Sequence, residues 1–218
     1  MRTGILGGTF NPIHIAHLRI AEEVREVCGL DRVRFLPAAT PPHKTVEEDV
    51  SFGHRLAMVQ LAIAGNPSFE VSDIEALRRG KSYSVHTLEI LRRQSPGEDL
   101  FFIIGMDSFR EISSWKEYRR LFELAHIVVA SRPGFAADRP EDLVPVAMAD
   151  DFCYDFPSKK LIHRTGMSVI FLEETFLDVS STRIRQMVAG GRSIRYLVPE
   201  AVRNYIALHG LYRGQERT

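Results

Sequence analysis

The opening stretch, Met1-Arg-Thr-Gly-Ile-Leu-Gly-Gly-Thr-Phe-Asn-Pro-Ile-His-Ile-Ala-His-Leu18, narrows the choice of fold more than any other. Residues 2–6 read as an apolar strand that ends at Gly7-Gly8, where the backbone has room to turn and to approach a ligand closely. Asn11-Pro12 then predicts a helix, with asparagine as N-cap and proline at the first helical position. His14 and His17 lie three apart, so both imidazoles fall on one face of that helix, in its first two turns. A strand, a glycine turn and a helix N-terminus offer backbone N–H groups and the positive end of a helix dipole, a favourable setting for phosphate. The histidines add donors able to follow charge as it develops on a reacting phosphorus. A histidine pair at this spacing also suits a metal, but no carboxylate or cysteine stands nearby at ligand spacing to complete such a site. Neither the G-x-G-x-x-G dinucleotide pattern nor the G-x-x-x-x-G-K-[ST] phosphate loop is present.

Strand and helix character alternate along the rest of the chain, which predicts a parallel sheet with helices on both faces. A first helix is expected over about 13–28 and a strand over 33–36, running into Pro37-Ala-Ala-Thr-Pro-Pro-His-Lys44. The prolines place His43 and Lys44 on a loop just past a strand end, where open α/β sheets bind ligands. A second helix is expected over 51–64, a short strand over 69–72, and a helix to about 94 capped by Ser82 or Ser84. Leu100-Phe-Phe-Ile-Ile104, apolar without interruption, has the character of a central parallel strand, and Gly105-Met106-Asp107-Ser108 ends it in another strand-to-helix turn. Ser114-Trp115-Lys116-Glu117-Tyr118 opens a further helix, and Ile127–Ala130 and Ser168–Leu172 are strands. Residues 136–166 follow no clear period and read as an insertion or a partner-facing segment. Serine caps a helix beginning at Val179-Ser-Ser-Thr-Arg-Ile-Arg185, and a last helix runs from Pro199 to His209, stopped by Gly210.

With 218 residues and 44% hydrophobic content the chain is long enough for one full α/β core, expected as a single domain over 1–218 with a helical C-terminal part from about 180. The formal net charge is zero, so no electrostatic footprint for nucleic acid or an anionic membrane stands out. Cys28 and Cys153 show no motif spacing and are expected as reduced, buried thiols of a cytoplasmic protein. The N-terminus has no signal-peptide pattern and no stretch approaches ~18 apolar residues, so neither secretion nor membrane spanning is expected.

The second chemistry-bearing element is Ser180-Ser181-Thr182-Arg183-Ile184-Arg185, where hydroxyls, a helix N-terminus and guanidinium groups suit one polyphosphate. Ser181 and Arg185 share a face, while Arg183 points elsewhere. By themselves these residues fit an ordinary capped helix with surface arginines equally well. A lone Trp such as Trp115 is more often core than ligand platform, Asp107 fits a helix cap, and Tyr118 fits packing. His54, His86, His126 and His163 match no motif and read as structural or surface residues.

Gly7-Gly8-Thr9-Phe10-Asn11-Pro12 followed by His14-Ile15-Ala16-His17 resembles the G-G-T-F-D-P…(H/T)-x-G-H motif of the nucleotidyltransferase superfamily, which shares its paired histidines with class I aminoacyl-tRNA synthetases. Asn11 stands where the motif has Asp, and Ala16 where it has the Gly that lets adenine lie close to the helix. Val179–Arg185 resembles I-S-S-T-x-I-R, the second motif of that superfamily. Further segments are similar to the bacterial nicotinate-mononucleotide adenylyltransferases: Pro41-Pro42-His43-Lys44, Ser82-Tyr83-Ser84, Ile104–Ser108, Trp115–Tyr118, Ser131–Gly134 and the tail from Leu197 to Tyr212.

The resemblance implies a Rossmann-like, doubly wound sheet with its site at the carboxyl ends of strands. It implies that AMP passes from ATP, brought in with Mg²⁺, to nicotinate mononucleotide. It assigns His14, His17, Lys44 and Arg185 to catalysis, and Gly7, Gly8, Thr9, Phe10, Ile104, Gly105, Asp107, Ser180, Ser181 and Thr182 to ATP. His43, Lys44, Tyr83, Ser84, Asp107 and Trp115 would meet the mononucleotide, Trp115 stacking on its pyridine ring. No protein-held metal is implied, and self-association into a homo-oligomer is left open. Three rivals stand beside this reading: transfer to phosphopantetheine or nicotinamide mononucleotide, a class I synthetase domain, and a non-catalytic nucleotide sensor. The neutral charge and short chain disfavour the synthetase, and retention of His14, His17 and Arg185 disfavours the sensor.

Overall fold

The computed structural model describes residues 1–40, 50–78, 80–131, 140–173, 175 and 177–213. Its strands are β1 (Arg2–Gly8), β2 (Arg32–Pro37), β3 (Phe69–Val71), β4 (Asp99–Gly105), β5 (His126–Ser131), β6 (Phe152–Asp155), β7 (Lys160–His163) and β8 (Ser168–Glu173). Helices are α1 (Ile15–Val27), α2 (Phe52–Ile63), α3 (Ser84–Gln94), α4 (Met106–Arg110), α5 (Tyr118–Leu124), α6 (Ser181–Ala189) and α7 (Glu200–Leu208). The strands form an eight-stranded, mostly parallel sheet in the order β3-β2-β1-β4-β5-β8-β7-β6, a Rossmann-like arrangement.

The chain divides into two compact units, each drawn from separated stretches. One comprises Met1–Gly7, Ile20–Val33 and Tyr83–Phe176; the other comprises Gly8–Arg19, Arg34–Ser82 and Leu177–Thr218. In the first unit, β1 pairs parallel with β4, β4 with β5 and β5 with β8, setting Ile103 opposite Leu6 and Val128, and Val128 opposite Ile170. Leu100 to Ile104 are all buried, as a strand covered on both faces requires. Gly4 is where β1 passes closest to its neighbours: an added Cβ would lie 2.9 Å from Leu30 Cδ1, 3.1 Å from Val33 and 3.2 Å from Ile103. In the second unit α2 packs on α7, and Phe35 is flanked by Phe10 and Phe69.

Several local expectations change. Asn11-Pro12 does not open α1: the pair forms a cis peptide bond within a turn, and the helix begins at Ile15. Neither Ser82 nor Ser84 caps α3 through its side chain. Tyr83 is the capping residue, with no side-chain bond, and Ser82 is buried with its hydroxyl accepting the Thr40 N–H at 3.2 Å. Trp115 does not lie within a helix: Ile112–Ser114 form a single 3₁₀ turn, Glu117 sits in the left-handed region at φ 50°, and α5 starts only at Tyr118. The described part of 136–166 contains two 3₁₀ turns and the antiparallel pair β6–β7, whose strands are too short and too mixed in polarity to show a period. Cys28 is buried and free, its thiol pushed up by burial, whereas Cys153 is free but exposed, contrary to expectation. The serine cap expected at Ser180 is present, and Ser51, expected inside the second helix, caps it instead; each hydroxyl accepts an N–H from the first turn of its helix. Among the described residues no helix is long and apolar enough to cross a membrane.

Candidate active site

The second unit holds the segment after β1. Two residues after Gly8 comes Phe10, whose ring lies against it: an added Cβ at Gly8 would meet Phe10 ring carbons at 3.0 Å. Phe10 adopts φ 49°, a left-handed conformation that costs a bulky L-residue roughly 1–2 kcal/mol. Burial of its ring between Phe35 and the edge of His17, with centroids 5.9 and 5.1 Å away, supplies the compensation.

Carbonyls of this segment are captured by side chains far away in sequence. Arg185 Nη1 donates to the Asn11 carbonyl at 2.9 Å, and Ser181 Oγ donates to the Pro12 carbonyl at 2.8 Å. Arg55 Nη1 donates to the Thr9 carbonyl at 2.8 Å. The Asn11 side chain, instead of capping α1, accepts a hydrogen bond from the Tyr212 hydroxyl at 2.5 Å. Ser181 and Arg185, on adjacent turns of one face of α6, therefore both reach the turn that precedes the histidines. Thr182 stands beside them, its hydroxyl 3.5 Å from Arg185 Nη2, while Arg183 instead faces Asp178 at 3.8 Å.

His14 and His17 stack with ring centroids 3.7 Å apart and planes 25° from parallel. His14 precedes the helix; its carbonyl accepts the N–H of His17 at 3.0 Å, and its own N–H donates to His17 Nδ1 at 3.2 Å. A backbone N–H only donates, so His17 Nδ1 is the acceptor and the proton of the neutral ring sits on Nε2. His14 is 5% exposed, and burial lowers its pKa to about 4, so its ring is neutral near pH 7. Its Nδ1 is buried without a hydrogen-bond partner among the described residues. The pair thus presents neutral imidazoles, which donate hydrogen bonds without carrying fixed charge. Ala16, at the position of the motif glycine, is buried.

In the first unit, Gly7 is exposed, and an added Cβ there would lie 3.9 Å from the Phe102 ring, an ordinary contact. Ile104 is buried at the end of β4, exposed Gly105 leads into α4, and Asp107 stands exposed in the first turn of that helix. Tyr83 and Ser84 lie at the start of α3, and the Lys116 ammonium sits 4.9 Å over the Tyr83 ring. Trp115 is neither core nor fully exposed; it rests edge-on against Phe102 at 6.3 Å. His43 and Lys44 lie outside the described residues. Among the described residues no group of three or more histidine, cysteine or carboxylate side chains forms a metal site. Two contributors escaped sequence reasoning. Tyr212 was legible only as part of a C-terminal pattern, and Arg55 only as a charged residue within the otherwise apolar face of α2.

The fold and the loop-and-histidine arrangement define a class, the cytidylyltransferase-like proteins, whose family pattern matches residues 5–187. The chain is 62% identical over 218 residues to the probable nicotinate-nucleotide adenylyltransferase of Syntrophotalea carbinolica, covering 100% of both chains. It is 55% identical over 212 residues to that of Citrifermentans bemidjiense, covering 97% of this chain and 98% of the relative. Among solved structures, the Plasmodium falciparum nicotinic acid mononucleotide adenylyltransferase complexed with NaAD matches with a TM-score of 0.74 at 17% identity, covering 97% of each chain. At that identity the likeness speaks for the fold. The chain belongs to the nicotinate-nucleotide adenylyltransferase family and is a nucleotidyl-transferring enzyme.

Proposed function

We infer how this chain's residues share the work of an adenylyltransferase of NAD biosynthesis, which joins the AMP part of ATP to nicotinate mononucleotide and releases pyrophosphate to give deamido-NAD. The observation that carries the inference is the stacked His14–His17 pair next to a loop held by α6. The 5′-phosphate oxygen of the mononucleotide attacks the α-phosphorus in line. That oxygen is anionic at neutral pH, so no general base is required, and catalysis rests on positioning and on stabilising developing charge.

His17, with its proton on Nε2, and neutral His14 donate to phosphate oxygens without the desolvation cost that a buried imidazolium would add. Arg185 supplies positive charge for the pyrophosphate that leaves, alongside the N–H groups at Ser181 and Thr182. Lys44 adds a point charge to phosphate, and His43 stands beside the mononucleotide. Gly7, Gly8, Thr9, Phe10 and Ile104 contribute to ATP binding; Gly105 and Asp107 meet the ribose or the mononucleotide; Trp115 stacks on the pyridine ring; backbone at Tyr83-Ser84 reads the nicotinate carboxylate. The divalent ion, which we assign as Mg²⁺, arrives on ATP as part of the substrate and keeps several waters. The enzyme works in the cytoplasm on two small molecules, with neither nucleic acid nor membrane as partner.

Pyrophosphate release with MgATP, measured side by side with nicotinate mononucleotide, nicotinamide mononucleotide and phosphopantetheine, tests the assignment. Turnover favouring the first is the expected result. Turnover with phosphopantetheine alone keeps nucleotidyl transfer and discards the acceptor, and ATP binding without turnover on any of the three defeats the reading.

A further inference from the structure

We propose that Arg55 is a positioning residue that sets the direction of the Phe10 N–H, and with it the shape of the loop that receives ATP phosphates; the proposal rests on the functional reading above. Arg55 stands on α2 among Met58, Val59 and Ile63, and at 1% exposed it is the largest fully buried side chain among the described residues. Arginine is almost never fully buried unless paired, because removing a guanidinium from water costs several kcal/mol. An apolar side chain of the same size would serve packing better. What Arg55 adds is donors, and their acceptors are main-chain carbonyls rather than a carboxylate.

Nη1 bonds the Thr9 carbonyl at 2.8 Å and the Ala38 carbonyl at 2.7 Å, and Nη2 reaches the Ala39 carbonyl at 3.3 Å. One nitrogen therefore ties the loop after β1 to the segment after β2. The main chain follows the same path, with the Ala38 N–H donating to the Gly8 carbonyl at 2.8 Å. The guanidinium carbon lies 5.5 Å from the Phe52 ring centroid, and the fields of Tyr212 and Glu75 favour the charged form of Arg55 against its burial.

A trans peptide sets its C=O and N–H in opposite directions. Capture of the Thr9 carbonyl by Arg55 therefore aims the Phe10 N–H away from Arg55. It also holds the peptide next to the left-handed Phe10, where a bulky residue would otherwise relax. Arg55 touches no reacting atom in this scheme; it acts through the backbone of Thr9 and Phe10.

The test uses the full chain carrying Arg55→Met or Arg55→Lys, first checked for a cooperative melt above the assay temperature. Methionine keeps an apolar stem without donors; lysine keeps the charge but cannot fork across the two segments. Both variants are expected to lose kcat/KM for MgATP by about tenfold or more, since small misplacements at a reacting centre are expensive. Amide hydrogen exchange should quicken at residues 8–12 and 38–40 while β4 stays protected. A merely structural role would lower the melting temperature and leave kcat and KM of the folded enzyme unchanged. If Arg55→Met does not fold, Arg55→Lys decides. A folded variant with kcat/KM within about twofold of wild type, or with loop exchange unchanged, overturns the proposal. Wild-type protein silent with nicotinate mononucleotide would instead overturn the functional reading, and the exchange measurement would still decide whether Arg55 holds the loop.

Discussion

Burial of His14 ties the stability of the fold to pH in a direction and amount that can be worked out. In the native chain this imidazole takes up a proton only near pH 4, whereas in the unfolded chain it does so near its ordinary 6.5. Between those values the unfolded state binds more protons, so stability rises with pH across that interval. The stabilisation is fully present above pH 6.5 and is lost progressively as the pH falls toward 4. A gap of about 2.5 pH units at 1.36 kcal/mol per unit comes to about 3 kcal/mol. His126 and His163 are lowered by burial as well and act with the same sign, so wild type alone does not isolate His14. The comparison that does is wild type against His14→Gln, unfolded by urea at pH 7.5, 6.5, 5.5 and 4.5. The stability difference between them should stay level from 7.5 to 6.5 and then shift against wild type by about 1.4 kcal/mol per pH unit. A difference that stays constant down to pH 4.5, or an NMR titration placing His14 near 6.5, would refute the assignment of a buried neutral ring.

Other perturbations separate chemistry from scaffold. His17→Ala should lower kcat by about 10²–10³, as loss of a single transition-state donor does, with an unchanged circular dichroism spectrum; a near-normal rate would remove His17 from the mechanism. Trp115→Ala should raise KM for the mononucleotide while leaving KM for ATP in place, since the ring rests on Phe102 alone among aromatic neighbours in the described residues; steady-state kinetics with each substrate varied will show which constant moves. Gly4→Ala should destabilise by about 1–3 kcal/mol in urea unfolding, because its methyl would overlap Leu30, Val33 and Ile103, and a neutral result would mean that those side chains yield freely.

The sheet was legible wherever a strand was long and apolar. Leu100–Ile104 declared β4 and the alternation around it declared parallel pairing, because a strand covered on both faces has no polar side to blur the signal. Phe152–Asp155 and Lys160–His163 gave no such sign: each has four residues with mixed burial, and pairing, of β6 with β7 and of β7 with β8, is what makes them strands. The histidine spacing anticipated two imidazoles side by side, and they do stack, but not on one face of a helix: His14 precedes α1 and only His17 lies in it. The role of Asn11-Pro12 was misread, since a helix cap and a turn draw on the same residue types and the choice is made by Tyr212 and Arg185 from far along the chain. Arg55 was invisible for a related reason. A sequence records which side chains exist, whereas the acceptors of Arg55 are backbone carbonyls that every residue possesses.

Because Thr9, Asn11 and Pro12 each surrender a carbonyl to a side chain supplied by α2 or α6, the glycine–histidine signature is not a portable cassette. Grafting residues 7–17 onto another strand–helix junction would carry the letters and leave the shape behind. A designer wishing to move this phosphate-handling turn would have to bring an arginine beneath it and a serine and arginine one helical turn apart beside it. For the same reason a genome search keyed to the signature alone will gather look-alikes, and adding positions 55, 181 and 185 to the query would filter them.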